Sequence, residues 1–330
     1  MGNLPLFPVQ ASTVAPQVDL IFLGLVGLSS FFSLIVVILI IYFGVRYRRG
    51  RLVDRSNPPT TSMKIELSWI FGLLVLGMGA FGSAAVVYFN QSRPPENSLE
   101  IYVVGRMWMW QFQHPDGPRE IDELHVPLGQ PVRLIMTSQD VIHSLYVPAF
   151  RTKYDVIPGR YTSLWFEATR PGVYHLFCAE YCGTDHSGMR GQVVVMEPHE
   201  YQRWLTENQT GASLPEHGAV LFAQLGCDSC HDPGEGQRAP ELAGRFGQSV
   251  SLASGGMVTF DENYIMESIL RPGAAIATGY DPIMPTYQGQ INETEIAQLV
   301  SYIKSLSEPV VVAGTIERID GDDSAREEGQ

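Results

Sequence analysis

The chain has 330 residues, a hydrophobic content of 45% and a formal net charge of -13 at pH 7. This length favours two or three folded units over one compact domain. A chain with this acidic balance has no excess of positive charge to neutralise phosphates, which argues against nucleic acid as a partner.

Two long uncharged stretches lie within the first ninety-five residues, over residues 20–45 and 67–92. Each would form a helix of about 39 Å, longer than the roughly 30 Å hydrocarbon core of a bilayer. Two buried core helices of this length rarely follow one another in a chain. We therefore predict a transmembrane hairpin within residues 1–95.

The connector between these stretches is strongly basic. It holds a lone acid, Asp54, against six cations: Arg46, Arg48, Arg49, Arg51, Arg55 and Lys64. By the positive-inside rule, this connector is cytoplasmic and both termini lie outside. The first seventeen residues carry no charge, so we expect the first helix to be an uncleaved anchor. Glu66, at the cytoplasmic mouth of the second helix, is either an interfacial carboxylate favoured by the helix dipole or part of a proton path.

Residues 96–205 show short alternating segments with Pro and Gly turns between them. Representative segments are 100–104, 131–136, 162–166 and 191–195. About a hundred residues of this pattern predict an antiparallel β-sandwich.

A dense set of metal-ligating side chains follows the predicted strand at 174–177. It consists of Cys178, Cys182, His186 and Met189. Thiolate, imidazole and thioether are soft ligands that suit copper far better than magnesium or calcium. Their close spacing makes a pair of structural disulfides a poor alternative. His143 is the best further ligand, whereas His175 lies inside a strand and is better explained as a core or surface residue.

The pattern Asp140-Val141-x-His143-Ser144 and then Cys178-x-Glu180-x-Cys182-x-x-x-His186-x-x-Met189 resembles the CuA centre of cytochrome c oxidase subunit II. Residues 105–112 resemble the aromatic segment of that family, and the helical hairpin matches it too. The resemblance spans roughly residues 15–200. It implies a cupredoxin-like sandwich that carries a dinuclear copper centre.

The resemblance also implies a role for each copper ligand. Cys178 and Cys182 would bridge the two copper ions, and His143 and His186 would each bind one of them. Met189 would be a weak ligand.

Three further residues acquire implied roles in the same way. Glu180 would ligate copper through its backbone carbonyl, and its carboxylate would help to hold a magnesium ion shared with subunit I. Trp108 would match the tryptophan through which electrons reach the copper centre. Glu66 resembles the carboxylate at the mouth of a proton pathway into subunit I.

A second unit is predicted over residues 211–307. A short linker and a helix at 216–225 precede Cys227-Asp-Ser-Cys230-His231, which fits the C-x-x-C-H pattern of covalent haem c attachment. The two thiols would become thioethers to the haem, and His231 would be an axial iron ligand.

Electron-transfer haem of this type usually has methionine opposite histidine. Met284 is the preferred candidate because flanking prolines stiffen its loop, whereas Met266 falls in a predicted helix and Met257 in an irregular segment. The region resembles an all-α class I cytochrome c. That resemblance implies that the carbonyl of Pro240 accepts a hydrogen bond from the ring of His231.

The end of the chain contains one more predicted helix and then an acidic tail. Asn292 and Glu295 form a helix-capping signature ahead of an amphipathic segment. Residues 308–330 contain seven acidic residues and only two arginines, and we expect this tail to be disordered.

Together the two resemblances point to subunit II of a caa3-type haem–copper oxidase. Such a subunit takes electrons from an external donor, either a cytochrome c or a membrane donor complex, through haem c and CuA to subunit I. Oxygen is reduced to water in subunit I. The expected location is the bacterial inner membrane, with two passes and with the copper and haem domains on the periplasmic side.

Two alternatives stay open: the CuA subunit of a nitric oxide reductase, and a free-standing membrane electron carrier. Three others fit less well. A nitrous oxide reductase needs a second, histidine-rich copper domain, a copper chaperone needs no haem, and a quinol oxidase subunit lacks the copper ligands.

Overall fold

The computed structural model describes residues 7–53, 56, 61–115, 117–208, 212–231 and 238–307. The predicted acidic tail, 308–330, lies outside these residues. Two long helices begin the structure, α1 (Ala15–Arg46) and α2 (Met63–Gln91). Both are long and apolar enough to cross a membrane, and their most apolar windows are not buried within the protein. These helices make the protein membrane-anchored.

A β-sandwich follows the hairpin. Its ten strands are β1 (Leu99–Arg106), β2 (Met109–Gln113), β3 (Arg119–Ile121), β4 (Glu123–Pro127), β5 (Pro131–Ser138), β6 (His143–Val147), β7 (Thr152–Val156), β8 (Thr162–Glu167), β9 (Gly172–Cys178) and β10 (Arg190–Met196). One sheet has the order β3-β2-β1-β5-β8 and the other β4-β10-β9-β6-β7. Large inward-facing side chains such as Trp110, Phe112 and Phe166 fill the space between the sheets, and their burial stabilises the sandwich.

The predicted β-sandwich is confirmed, although the expected antiparallel pairing is incomplete. β1 pairs with β5 in parallel, and β10 pairs with β4 in parallel. In each parallel pair the chain crosses to other strands before it returns, so the two partners run the same way. Local alternation of apolar residues cannot reveal this arrangement.

The segment before α1 is bound into the sandwich. The backbone N–H of Ala11 donates to the carbonyl of Ala149 at 3.0 Å, and the N–H of Thr169 donates to the carbonyl of Ala11 at 2.9 Å. Arg151 donates to both carboxylate oxygens of Asp19, near the start of α1, at 2.8 and 2.9 Å. The sandwich and the segment that precedes α1 therefore lie at the same end of the helical hairpin.

The C-terminal unit is mainly helical. After α3 (Pro198–Glu207) come α4 (Leu214–Gln224), α5 (Asp228–His231), a hairpin of β11 (Ser249–Ser251) and β12 (Met257–Thr259), α6 (Glu262–Leu270) and α7 (Glu293–Ser305). The predicted capping pair of Asn292 and Glu295 begins α7. The small hairpin is an addition to the all-helical expectation. α4 crosses α7 closely at Gly218, where a Cβ atom would lie 2.1 Å from the carbonyl oxygen of Gln298.

The C-terminal unit docks on the outer face of the first sheet. Tyr102, Ile135 and Tyr161 pack in one buried cluster with residues of α6 and α7. The backbone N–H of Tyr161 donates to Oδ1 of Asn263 at 2.7 Å. A network of four charged side chains surrounds this contact, comprising Glu100, Arg133, Glu262 and Lys304.

Candidate metal centre and C-terminal cavity

The pairing of β6 with β9 creates the candidate metal centre. Leu145 of β6 lies opposite Cys178, the last residue of β9. His143, at the start of β6, is thereby brought next to that thiol. The loop between β9 and β10 supplies the other candidate ligands, and its two ends are held by antiparallel strands. A rigid scaffold thus presents a ligand-bearing loop.

Five of the predicted ligands lie together. Sγ of Cys178 is 3.8 Å from Sγ of Cys182 and 3.9 Å from Nδ1 of His143. Sγ of Cys182 is 3.5 Å from Nδ1 of His186 and 3.7 Å from Sδ of Met189. The cysteines are free thiols. The ligand atoms of His143 and the two cysteines all lie within 4.8 Å of one another in a buried position, so they could hold a metal ion.

Glu180 contributes its backbone to this cluster. The thiol of Cys178 donates to the carbonyl oxygen of Glu180 at 3.2 Å, while the Glu180 side chain is exposed. The preceding residue, Ala179, donates its N–H to the carbonyl of Ser144 at 2.8 Å. This bond fixes the loop just after Cys178 and keeps the Glu180 carbonyl directed at the sulfur.

Asp140 orients the His143 ring, a role that the sequence interpretation did not assign. Its Oδ1 lies 2.7 Å from Nε2 of His143, and its Oδ2 accepts the N–H of Met107 at 2.7 Å. A proton on Nε2 leaves Nδ1 free to face the sulfur atoms, which is how a carboxylate beyond the ligands sets the tautomer of a metal-binding histidine. An aspartate three residues before a candidate ligand was the available signal.

The two thiols differ in acidity. Burial is the largest single influence and would raise the pKa of Cys178. Hydrogen bonds with His143, with the backbone of Ser144 and Glu180 and with Cys182 together outweigh burial and bring this pKa to about 7. Burial and the neighbouring Cys178 raise the pKa of Cys182 to about 12. Two thiols this close ionise as a pair, and the first proton to leave suppresses loss of the second. A bound cation would favour loss of both protons.

The remaining candidate residues lie at different distances from the centre. Trp108 is beside it, since a Cβ atom at Gly183 of the ligand loop would lie 3.4 Å from the Trp108 indole nitrogen. His175 is exposed, so of the core and surface roles expected for it the surface role applies. Glu66 is in the first turn of α2, whereas the sandwich follows its last turn, about 40 Å away along a helix of this length.

A second histidine cluster has a structural role. Glu120 accepts hydrogen bonds from the buried ring of His114 and from the half-buried ring of His125. The other nitrogen of His114 contacts the hydroxyl of Tyr201 at 3.0 Å, and that of His125 lies 3.4 Å from Glu123. Because every ring nitrogen already has a protein partner, we interpret this cluster as a link that fastens α3 to the sandwich.

The C-terminal unit encloses a cavity of about 770 Å³ lined by Cys227, Cys230, His231 and Met284. Ligand pockets of proteins span roughly 300–1,000 Å³, so this one has room for a large prosthetic group. Nδ1 of His231 lies 2.8 Å from the carbonyl oxygen of Pro240, which confirms the expected orienting bond.

Among the described residues, the cavity lining contains Met284 but neither Met266 nor Met257. Met266 is packed in the core of α6 and α7, and Met257 is 76% exposed in β12. Met284 therefore stays the best candidate for the second axial position.

Comparisons with known proteins match both units. Residues 118–197 match the family model described as cytochrome c oxidase subunit II, periplasmic domain, and residues 215–307 match that of cytochrome c. The cytochrome c oxidase subunit 2 of Thermostichus vulcanus is 31% identical over 264 residues, which are 64% of this chain and 80% of the relative. The corresponding subunit of Alkalihalophilus pseudofirmus is 30% identical over 257 residues, 73% of each chain.

A solved structure gives a similar match. The periplasmic domain of cytochrome oxidase subunit II from Bradyrhizobium japonicum is 31% identical, with a TM-score of 0.34. The match covers 35% of this chain and 96% of that one. The two relatives named cytochrome c oxidase subunit 2 are at least 30% identical and are matched over 80% and 73% of their length. The chain therefore belongs to the cytochrome c oxidase subunit II family, with a cytochrome c domain fused after the sandwich.

Proposed function

We propose that this chain is subunit II of a caa3-type haem–copper oxidase. It would receive electrons from an external donor and pass them to subunit I, where oxygen is reduced to water. The observation that carries this proposal is the presence on one chain of a buried Cys–His–Met cluster and of a C-x-x-C-H cavity docked on the same sandwich.

The residues present fit the two groups that such a subunit carries. Two thiols 3.8 Å apart, each beside an imidazole, suit a pair of bridged copper ions, and Met189 adds a soft thioether. Cys227, Cys230, His231 and Met284 would hold haem c. When bound, these groups would supply one-electron redox chemistry. A magnesium ion shared with subunit I through the exposed Glu180 carboxylate completes the proposed set.

Most of the proposed copper ligands are shielded from solvent. Cys178, Cys182 and His143 are buried, and Met189 is only 1% exposed. Asp140 fixes the His143 ring through the 2.7 Å contact. Ligands that cannot move when the charge on a centre changes keep the reorganisation small, as preorganised sites do in general.

The proposed location is the bacterial inner membrane, with the sandwich and the cytochrome domain on the periplasmic side. Two independent features support this orientation. The connector between α1 and α2 is basic, and the segment before α1 is bound into the sandwich. The first feature supports a cytoplasmic connector, and the second supports a sandwich at the opposite end of the hairpin.

Trp108 and Glu66 take the roles that the family resemblance implies. Trp108 would receive electrons from a donor, which its position beside the ligand loop supports. Glu66 would open a proton path into subunit I from the cytoplasmic side, which its location at the start of α2 supports.

Metal and spectral analysis of the purified complex tests the proposal. We expect two copper ions and one covalent haem c per chain, with the near-infrared band of a mixed-valence copper pair. Cys182→Ser should remove that band, whereas His175→Asn, which changes an exposed histidine, should keep it. Met284→Ala should alter the haem spectrum and Met266→Leu should not.

Two cysteines joined to each other in the assembled protein, with no copper bound, would contradict the proposal. The catalytic partner distinguishes the alternatives. A co-purified subunit that reduces nitric oxide but not oxygen would favour a nitric oxide reductase, and a chain that purifies without any partner would favour a free-standing carrier.

A further inference from the structure

A cavity of about 400 Å³ lies where the hairpin meets the sandwich. Its wall is formed by the start of α1, the last turn of α2 and strand β8, through Gln17, Asn90 and Trp165 among others. The segment before α1 is bound into the sandwich, and the sandwich follows α2 in the chain. The cavity therefore lies at the level where a bilayer would meet water. It is separate from the candidate metal centre and the C-terminal cavity.

Trp165 closes one side of this cavity. Its indole N–H donates to the carbonyl oxygen of Asn90 at 3.3 Å, and the side chain is half-buried. An indole whose polar edge is bound and whose apolar face is free is typical of the membrane–water interface. The contact also ties α2 to β8, so the cavity has a defined wall on this side.

Arg93 is the one charged side chain among the residues that line the cavity. It forms none of the ion pairs found within the described part of the chain. The nearest acid on α1, Asp19, is already bound by Arg151 and Gln10, and Glu96 is not part of the lining. Within the described residues the exposed Arg93 guanidinium therefore has no protein anion beside it, on the side of the membrane where arginine is less common.

The other side of the cavity is apolar. Val87 and Phe89 of α2 belong to the lining, and Phe89 is 58% exposed on the surface of the helix. A ligand that satisfies both sides must carry an anion at one end and a hydrocarbon chain at the other.

We propose that this cavity binds the headgroup of an anionic phospholipid. The phosphate would pair with Arg93, since guanidinium groups match phosphate oxygens with two parallel hydrogen bonds. Gln17 offers a neutral amide donor from the opposite wall. An acyl chain would run down α2 over Phe89, where the helix surface is apolar. Bound lipid would fill the gap between hairpin and sandwich.

Lipid retention measured by native mass spectrometry tests this proposal on the full-length protein and on its complex. Both would be delipidated and then titrated with phosphatidylglycerol, with phosphatidylcholine of the same chains, and with inorganic phosphate. We expect saturable binding of one phosphatidylglycerol, and Arg93→Gln should weaken it about tenfold, the size expected for a charge-assisted hydrogen bond. Arg203→Gln, which removes an exposed charge on α3, is the matched control and should leave binding unchanged.

Trp165→Phe keeps the aromatic wall but removes the N–H, and it should weaken binding by a smaller factor. Equal binding of both lipids, unaffected by Arg93→Gln, would overturn the proposal. So would inorganic phosphate that competes at equal concentration, because the site would then recognise free phosphate. Lipid that binds the isolated chain but is absent from the complex would mean that a partner subunit covers the cavity, which would also overturn it.

Discussion

Lys304 of α7 is the central cation of the contact between the cytochrome domain and the sandwich. It pairs with Glu100 of β1 and lies 3.4 Å from Oε1 of Glu262. It also sits 4.8 Å from the centre of the Phe246 ring. Lys304→Met would keep most of the aliphatic length of this side chain and remove only the charge. We expect this change to loosen the docking of the two domains.

The size of the effect follows from burial. The Lys304 side chain is 17% exposed and that of Glu262 only 8%. Removing one partner of a fully buried pair costs about 3–5 kcal/mol, and removing an exposed one about 0–1 kcal/mol. Because Arg133 stays within 3.5 Å of Glu262, neither carboxylate is left alone. We expect about 2 kcal/mol, or about a thirtyfold change in the docking equilibrium.

Hydrogen exchange at the backbone N–H of Tyr161 measures docking directly, because this group donates across the contact to Asn263 at 2.7 Å. When reclosing is fast, the exchange rate follows the population of the open state. Lys304→Met should therefore speed exchange of this amide about thirtyfold. The control is Arg271→Met, which breaks an exposed pair with Glu267 on α6. If both variants exchange within about twofold of the parent chain, the charge network does not hold the domains together.

Three further predictions concern the sandwich and the cytochrome domain. Arg151→Met leaves the nearly buried Asp19 carboxylate without its cation. This change should destabilise the sandwich by about 2–3 kcal/mol, measured as a lower midpoint of urea unfolding. An unchanged midpoint would mean that the N-terminal segment adds no stability. Burial would raise the pKa of Glu120, but hydrogen bonds from two histidines hold it below its ordinary value. This carboxylate therefore stabilises the fold above its unfolded pKa of about 4.3, and that stability is lost as pH falls through the lower folded pKa. Glu120→Gln should flatten the acid limb of a urea-midpoint profile between about pH 5 and 3, and a limb as steep as the parent's would refute this assignment. Gly218→Ala puts a Cβ atom 2.1 Å from the carbonyl oxygen of Gln298 and should lower the free energy of unfolding by about 1–3 kcal/mol or more. Circular dichroism should show a lower melting temperature of the cytochrome helices. An unshifted transition would show that the crossing of α4 and α7 can relax.

Much of the candidate chemistry was predictable because its residues are close in the chain. Cys178 and Cys182 share one loop, so their proximity requires no knowledge of the fold. The same holds for Cys227, Cys230 and His231. The two spanning helices were predictable for a related reason, since a long run without charge has few other stable states. Their ends were less certain, and α1 begins five residues before the uncharged stretch.

Other features depend on which distant segments pair. His143 meets Cys178 because β6 lies beside β9, and strand neighbours are chosen by packing of whole sheets. The parallel pairing of β1 with β5, the orienting role of Asp140 and the Glu120 cluster depend on the same choice.

The ligand types, their local spacing and the two apolar helices follow from the order of residues alone, because they are properties of short stretches of chain. The tertiary structure alone decided that the cytochrome domain docks on the outer face of β1 and β5, and that the residues before α1 join the sandwich. Contacts of this kind form between segments separated by more than a hundred residues. They depend on complementary shape and charge between folded surfaces, and the periodicity of a single segment contains no information about its partner.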